Sequence, residues 1–218
     1  MDIQTALVRL NSQLPLKARQ DRLSPGLKAA HQCVLTTLVD KGRAPTVAEL
    51  QIVLGDEDYT ESMQRLGSDD LVVLDAKGTD PLGAYPVTLE STPHKVWVNE
   101  HVIYAMCALD AMSVAPLFDT EAIIESQCHL SKVPITIQMQ GSDILAVQPT
   151  ADVIVGIRWQ MPTAVAAHSM CMEMVFLKDR PTAEAWQAED KENISLFSLP
   201  EAVAFGKAFF SPLLSQEK

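Results

Sequence analysis

The sequence predicts an α+β fold: an N-terminal winged-helix-like three-helix module followed by a mixed α/β domain with short strands. Three observations predict it. Beyond about residue 80, strand-like segments come in runs rather than alternating with helices, which is the α+β pattern and not that of parallel βαβ units. The first 80 residues instead hold three helical segments and then a hairpin. At 218 residues, 47% hydrophobic and 21% charged, the chain has the length and composition of one or two ordinary globular domains with a packed core.

The elements follow in order. Ser24-Pro25 supplies an N-cap and a first-turn proline for a helix to about Lys41, closed by Gly42. Thr46 and Glu49 have capping-box spacing ahead of AELQIVLG. A third helix, near TESMQRL, leads through Gly67 to LVVL and a Lys77-Gly78 turn. This sets the expected division at residues 1–80 and 81–218. In the second part, VTL and KVWV read as strands, and Asn99-Glu100 reads as the cap of an apolar helix through VIYAMCALDAM. Strands follow near AIIESQC, ITIQMQ, DILAVQP and DVIVGIRWQ. SMCMEMVFLK also alternates like a strand, PTAEAWQAE is a helix capped by Thr182, and SLPEAVAFGKAFFSPLL closes the chain as a helix.

A winged helix usually reads DNA, but the charge argues otherwise. The whole chain carries −11, and its first 80 residues hold nine cations against twelve anions. In the segment where recognition is expected, one arginine, Arg65, faces a run that includes Asp56, Glu57 and Asp58, and that surface repels phosphate. Neither nucleic acid nor a membrane is an expected partner. The N-terminal stretch is broken by Asp2, Arg9 and Lys17, so it lacks a signal-peptide apolar region. VIYAMCALDAMSVAPLF is too short for a span and contains Asp110 and Pro116, so it reads as a buried helix of a cytoplasmic protein.

That apolar stretch holds one thiol and one acid, Cys107 and Asp110, three residues apart and so on one face of a helix. A carboxylic acid buried without a base has a raised pKa and becomes a proton donor beside a soft ligand. In SMCMEMVFL, strand alternation puts Cys171, Glu173 and Val175 on one face, toward a cleft, and Met170, Met172, Met174 and Phe176 on the other, toward the core. Cys128, beside His129, reads as structural, and Cys33 as core. The four cysteines lack the spacing of a zinc site or a disulfide framework, and hydrolase triads and phosphate loops are absent. What remains is a two-cysteine site with an acid alongside, suited to a soft metal such as mercury or copper(I).

YAMCALDAM, ESQCHLSKVPITIQM, SMCMEMVFL and PTAEAW, in that order, resemble the organomercurial (alkylmercury) lyases of bacterial mercury resistance. The likeness runs from about Gly83 to Leu214 and makes residues 81–218 an alkylmercury lyase-like catalytic domain. It implies protonolysis of a carbon–mercury bond, R–Hg⁺ to R–H and Hg(II). It assigns mercury binding to Cys107 and Cys171, proton delivery to Asp110, and a mainly structural place to Cys128. Hg(II) would rest transiently on Cys107, Cys171 and Asp110 until low-molecular-weight thiols or a mercuric reductase remove it, with no organic cofactor. Met172, Met106, Glu173 and Val175 depart from the family pattern and bear on substrate range and product handover. Alternatives on the same residues are a non-catalytic thiol-based metal carrier or sensor, or a lyase-like enzyme for another organometal.

Overall fold

Side-chain caps set many of the helix boundaries. In the computed structural model, which describes residues 1–215, Ser24 accepts from the Leu27 amide and starts a helix ended by Gly42 in the left-handed region. Thr46 and Glu49 form the expected capping box. The N-terminal helices are α1 (Ile3–Gln13), α2 (Leu16–Gln20), α3 (Pro25–Lys41), α4 (Val47–Leu54) and α5 (Tyr59–Ser68). Two helices thus precede the three expected. Asp2 caps α1 by accepting from Thr5, whereas the five-residue α2 has no side-chain cap to betray it.

Strands β1 (Val72–Leu74), β2 (Pro81–Ala84), β3 (Val87–Thr88), β4 (His94–Val98) and β5 (His101–Ala105) follow. The helix α6 (Ala108–Phe118) then leads to β6 (Glu121–Gln127), β7 (Pro134–Gln140), β8 (Asp143–Gln148) and β9 (Ile154–Arg158). The chain ends with β10 (Met174–Leu177), α7 (Arg180–Gln187), β11 (Ile194–Ser198) and α8 (Leu199–Leu214). Residues 216–218 of the segment predicted to run from 81 to 218 lie outside the described residues.

The result is a mixed α+β architecture. Eight strands form one antiparallel sheet in the order β1-β2-β3-β5-β4-β6-β7-β8, and three form another, β10-β9-β11. The larger sheet passes through residue 80, because β1 pairs with β2 across the Gly78 turn. Helix α6 packs against strands of both sheets and against α8. Every residue of α6 from Ala108 to Pro116 is buried, which explains its uninterrupted apolar sequence. Gly206 permits the α6–α8 approach, since a Cβ there would collide with Ser113 Oγ.

Three local expectations are corrected. Asn99 and Glu100 do not cap a helix: both have positive φ (47° and 67°) and form the two-residue turn between β4 and β5, with Val98 opposite His101. The β-branched and aromatic residues of HVIYA pair as a strand, and the helix begins only after Cys107. SMCMEMVFL is a strand only from Met174; Met170–Glu173 is a 3₁₀ turn, so alternation fails there and Met172 is 58% exposed rather than core. Asp179, not Thr182, caps α7, with Thr182 donating its amide.

Candidate active site

The helix α6 begins on an unusual cap. Cys107 has extended backbone angles, and its Sγ accepts the Asp110 amide at 3.3 Å, as a serine or threonine oxygen would. Asp110 is the third residue of the helix, so thiol and acid share its first turn. The thiol of Cys107 in turn donates to Met174 Sδ at 3.6 Å.

Cys171 arrives from the other side, on the 3₁₀ turn that leads into β10. A buried network holds the segment before it. Tyr85 donates its hydroxyl to Asp70 Oδ1 and accepts the Ala167 amide, both at 2.9 Å, while Asp70 Oδ2 accepts the Ala166 amide at 3.2 Å. Arg19 lies 3.5 Å from the same Asp70 oxygen. Residues from the first 80 therefore brace the turn that presents Cys171. The sequence reading missed Asp70 and Tyr85, whose role depends on contacts across the fold and leaves no local motif.

The expected trio is brought together. One ligand atom each from Cys107, Asp110 and Cys171 lies within 4.8 Å of the others, and all three residues are buried. Asp110 Oδ2 has no hydrogen-bond partner among the described residues. Burial pushes the Asp110 carboxyl up to about 7, outweighing the hydrogen bonds from Cys107 and Cys171 that lower it. The helix N-terminus favours an anion by at most ~2 kcal/mol, less than the cost of burying a charge without a partner.

Both thiols are held in the S–H form. Burial raises Cys107 well above the ordinary thiol range, with further contributions from Cys171 and Asp110. At Cys171 the bond to Cys107 lowers the pKa, but burial and the facing carboxylates Asp110 and Asp70 outweigh it. The raised pKa agrees with the expected buried acid, which stands beside two thiols and ionises near neutrality.

A cavity of about 470 Å³ reaches the trio at Cys171. Cys171 lines it together with Met106, Met172, Val175 and Phe176, while Cys107 and Asp110 do not reach its wall. His94 also lines it; burial lowers His94 to about 4, so the ring is neutral and bonded to Ser126 Oγ. Glu173, expected to share a cleft with Cys171, turns away to Arg158 at 3.6 Å. Cys128 is fully buried in the turn where its carbonyl accepts the Lys132 amide, and it is not part of the trio.

Two thiols and a carboxyl converging behind a cavity wall at Cys171 form a donor set suited to a soft metal. The model of the family described as MerB, alkylmercury lyase, matches residues 87–211. The alkylmercury lyase of Bacillus cereus is 27% identical over 154 residues, covering 70% of this chain and 68% of its own. That of Staphylococcus epidermidis is 26% identical over 151 residues, 69% of this chain and 67% of its own. Among solved structures, the mercury-bound form of MerB2 superposes with a TM-score of 0.76 at 18% identity, covering 92% of this chain and 98% of that one. The chain belongs to the alkylmercury lyase family and is an enzyme of that class. Among the described residues, no helix is long and apolar enough to cross a membrane.

Proposed function

We propose that the protein cleaves the carbon–mercury bond of an organomercurial by protonolysis, with Cys107 and Cys171 binding mercury and Asp110 delivering the proton. The observation that carries this reading is the convergence of two thiols and a buried carboxylate within 4.8 Å, the carboxylate keeping Oδ2 unpartnered. The balance is R–Hg⁺ + 2 Cys–SH → R–H + Hg(S–Cys)₂ + H⁺.

Cys171, at the cavity wall, meets the substrate first. Its sulfur forms the first bond to mercury and its proton is lost. The Cys107 thiol then forms the second, and Asp110, which shares its helical turn, takes up the proton that bond formation expels. A carboxyl that ionises at about 7 serves both halves of this transfer: it accepts a proton from sulfur and returns it to carbon. Two sulfur donors raise electron density on the Hg–C bond, and placing donor and carbon in one closed site supplies the proximity. The apolar wall of Met106, Val175 and Phe176 suits the organic group that leaves as hydrocarbon.

The proposal includes no organic cofactor. Low-molecular-weight thiols, or a mercuric reductase, take the Hg(II) from Cys107, Cys171 and Asp110, in the cytoplasm. Residues 1–80 serve as a winged-helix-like structural module for the catalytic domain 81–218 rather than as a DNA reader. The bonds from Asp70 to Tyr85 and Ala166 support that role.

The test is incubation with phenylmercury and excess thiol, with benzene measured in the headspace. Catalytic benzene release is expected from the wild type and none from Cys107→Ser or Cys171→Ser. Bound phenylmercury without benzene would instead support a metal carrier.

A further inference from the structure

We propose that Met174 is a third sulfur ligand for the mercury(II) product, an inference that rests on the lyase reading and deepens it. Met174 opens β10, is 2% exposed, and accepts the S–H of Cys107 on its Sδ at 3.6 Å. Two sulfurs bound to one tetrahedral zinc ion at ~2.3 Å lie about 3.8 Å apart, and the larger mercury ion sets its sulfurs somewhat wider. The Met174 and Cys107 sulfurs are therefore already close to the spacing of neighbours on a single ion.

The local fold explains why Met174, and not another methionine, is placed there. A 3₁₀ turn has 3.0 residues per turn, so residues three apart share a side. The turn Met170–Glu173 carries Cys171, Met174 follows three residues later at the start of β10, and both meet Cys107 at the start of α6. The two residues between them point elsewhere: Met172 is 58% exposed, and Glu173 pairs with Arg158.

The chemistry fits the order of events. When Cys107 gives up its proton to bind mercury, the Met174 lone pair that accepted this S–H is released and faces the incoming metal. A dative Hg–S bond then forms with no proton or electron transferred. A thioether is soft, as mercury is, and it is neutral. The bis-thiolate mercury complex therefore gains a third donor without adding a second buried charge beside Asp110, which a third thiolate would do. Met174 would slow loss of Hg(II) from the site and set the thiol concentration needed to extract it.

The test loads wild type and Met174→Leu, a substitution close in volume, with one equivalent of mercuric chloride. Mercury-edge X-ray absorption is expected to show a third, longer sulfur shell in the wild type that Met174→Leu lacks. The glutathione concentration that removes half the metal should fall by about tenfold in the variant, the lower end of what loss of a supporting group costs a metal site. Should Met174→Leu misfold, protein with all nine methionines replaced by selenomethionine offers a second readout: a mercury–selenium distance of a bond supports the ligand, and its absence overturns it. Matching spectra and matching glutathione titrations for wild type and Met174→Leu would also overturn it. Failure of the lyase reading is seen separately, as phenylmercury bound to the wild type without benzene release.

Discussion

Cys107 and Asp110 are joined by a hydrogen bond in which the Asp110 amide donates to Cys107 Sγ at 3.3 Å. The thiol is thus both the cap of α6 and a member of the reactive trio. Cap and chemistry make different demands on the same atom, so substitution can separate them.

Cys107→Ser should fold at least as well as the wild type yet release no hydrocarbon. A serine oxygen is a stronger N-cap than a thiol, and caps are worth about 0.5–2 kcal/mol. For a chain of this size the melting temperature should stay level or rise by about 2–4 °C per kcal/mol. Mercury, by contrast, needs the soft donor. Thermal melts and headspace gas measured on one preparation check both halves; a large loss of stability would show that capping is not what the sulfur contributes.

Asp110→Asn should lose activity and gain stability. Loss of a general acid–base group costs about 10²–10⁴-fold in rate. The carboxyl ionises at about 7 in the folded chain against 3.8 when unfolded, so the native state holds a proton that the unfolded state releases. Stability is therefore full below about pH 4 and falls as pH rises toward 7. Asparagine removes that loss, and the variant should exceed wild type by roughly 2–4 kcal/mol above pH 7, with no gain near pH 4. Urea titrations across the range measure it; curves that stay parallel would contradict the buried-acid assignment.

Glu173→Gln should leave turnover within about twofold. The side chain forms a partly exposed pair with Arg158, a class of contact worth roughly 0–1 kcal/mol, and it does not line the cavity. A steady-state comparison with phenylmercury decides the matter: a tenfold fall would return Glu173 to the site.

Gly206→Ala should destabilise the fold by roughly 1–3 kcal/mol, the usual cost of overpacking. The new methyl would press on Ser113 Oγ and force α8 away from the helix that carries Asp110. Adding Ser113→Ala removes the closest contact and should restore part of the loss. Denaturation midpoints of the two variants give the comparison, and an unchanged single variant would show that the helices have slack.

At α3 and α4, where side chains act on their own neighbours, the sequence revealed the outcome. Ser24, Gly42 and the Thr46–Glu49 pair mark helix ends through local hydrogen bonds, and these appear in place. Cys107, Asp110 and Cys171 were legible through their chemistry and the resemblance of the segments around them. What could not be read was decided by long-range pairing. HVIYA is apolar enough for a buried helix, and its pairing with HKVWV on one side and Val87–Thr88 on the other makes it a strand. SMCMEMVFL alternates on paper, yet its first half lacks a partner strand and coils into a 3₁₀ turn, which exposes Met172 while Met170 and Met174 stay buried as expected. The Asp70–Tyr85 brace spans elements with no shared motif.

A single turnover without added thiol tests the proposed protonolysis at its centre. One equivalent of phenylmercury is mixed with the protein, and benzene and retained mercury are quantified together. One benzene per chain is expected with Hg(II) left bound, and no benzene from the Cys107→Ser and Cys171→Ser variants. Phenylmercury held intact by both thiols, with no benzene formed, would contradict it.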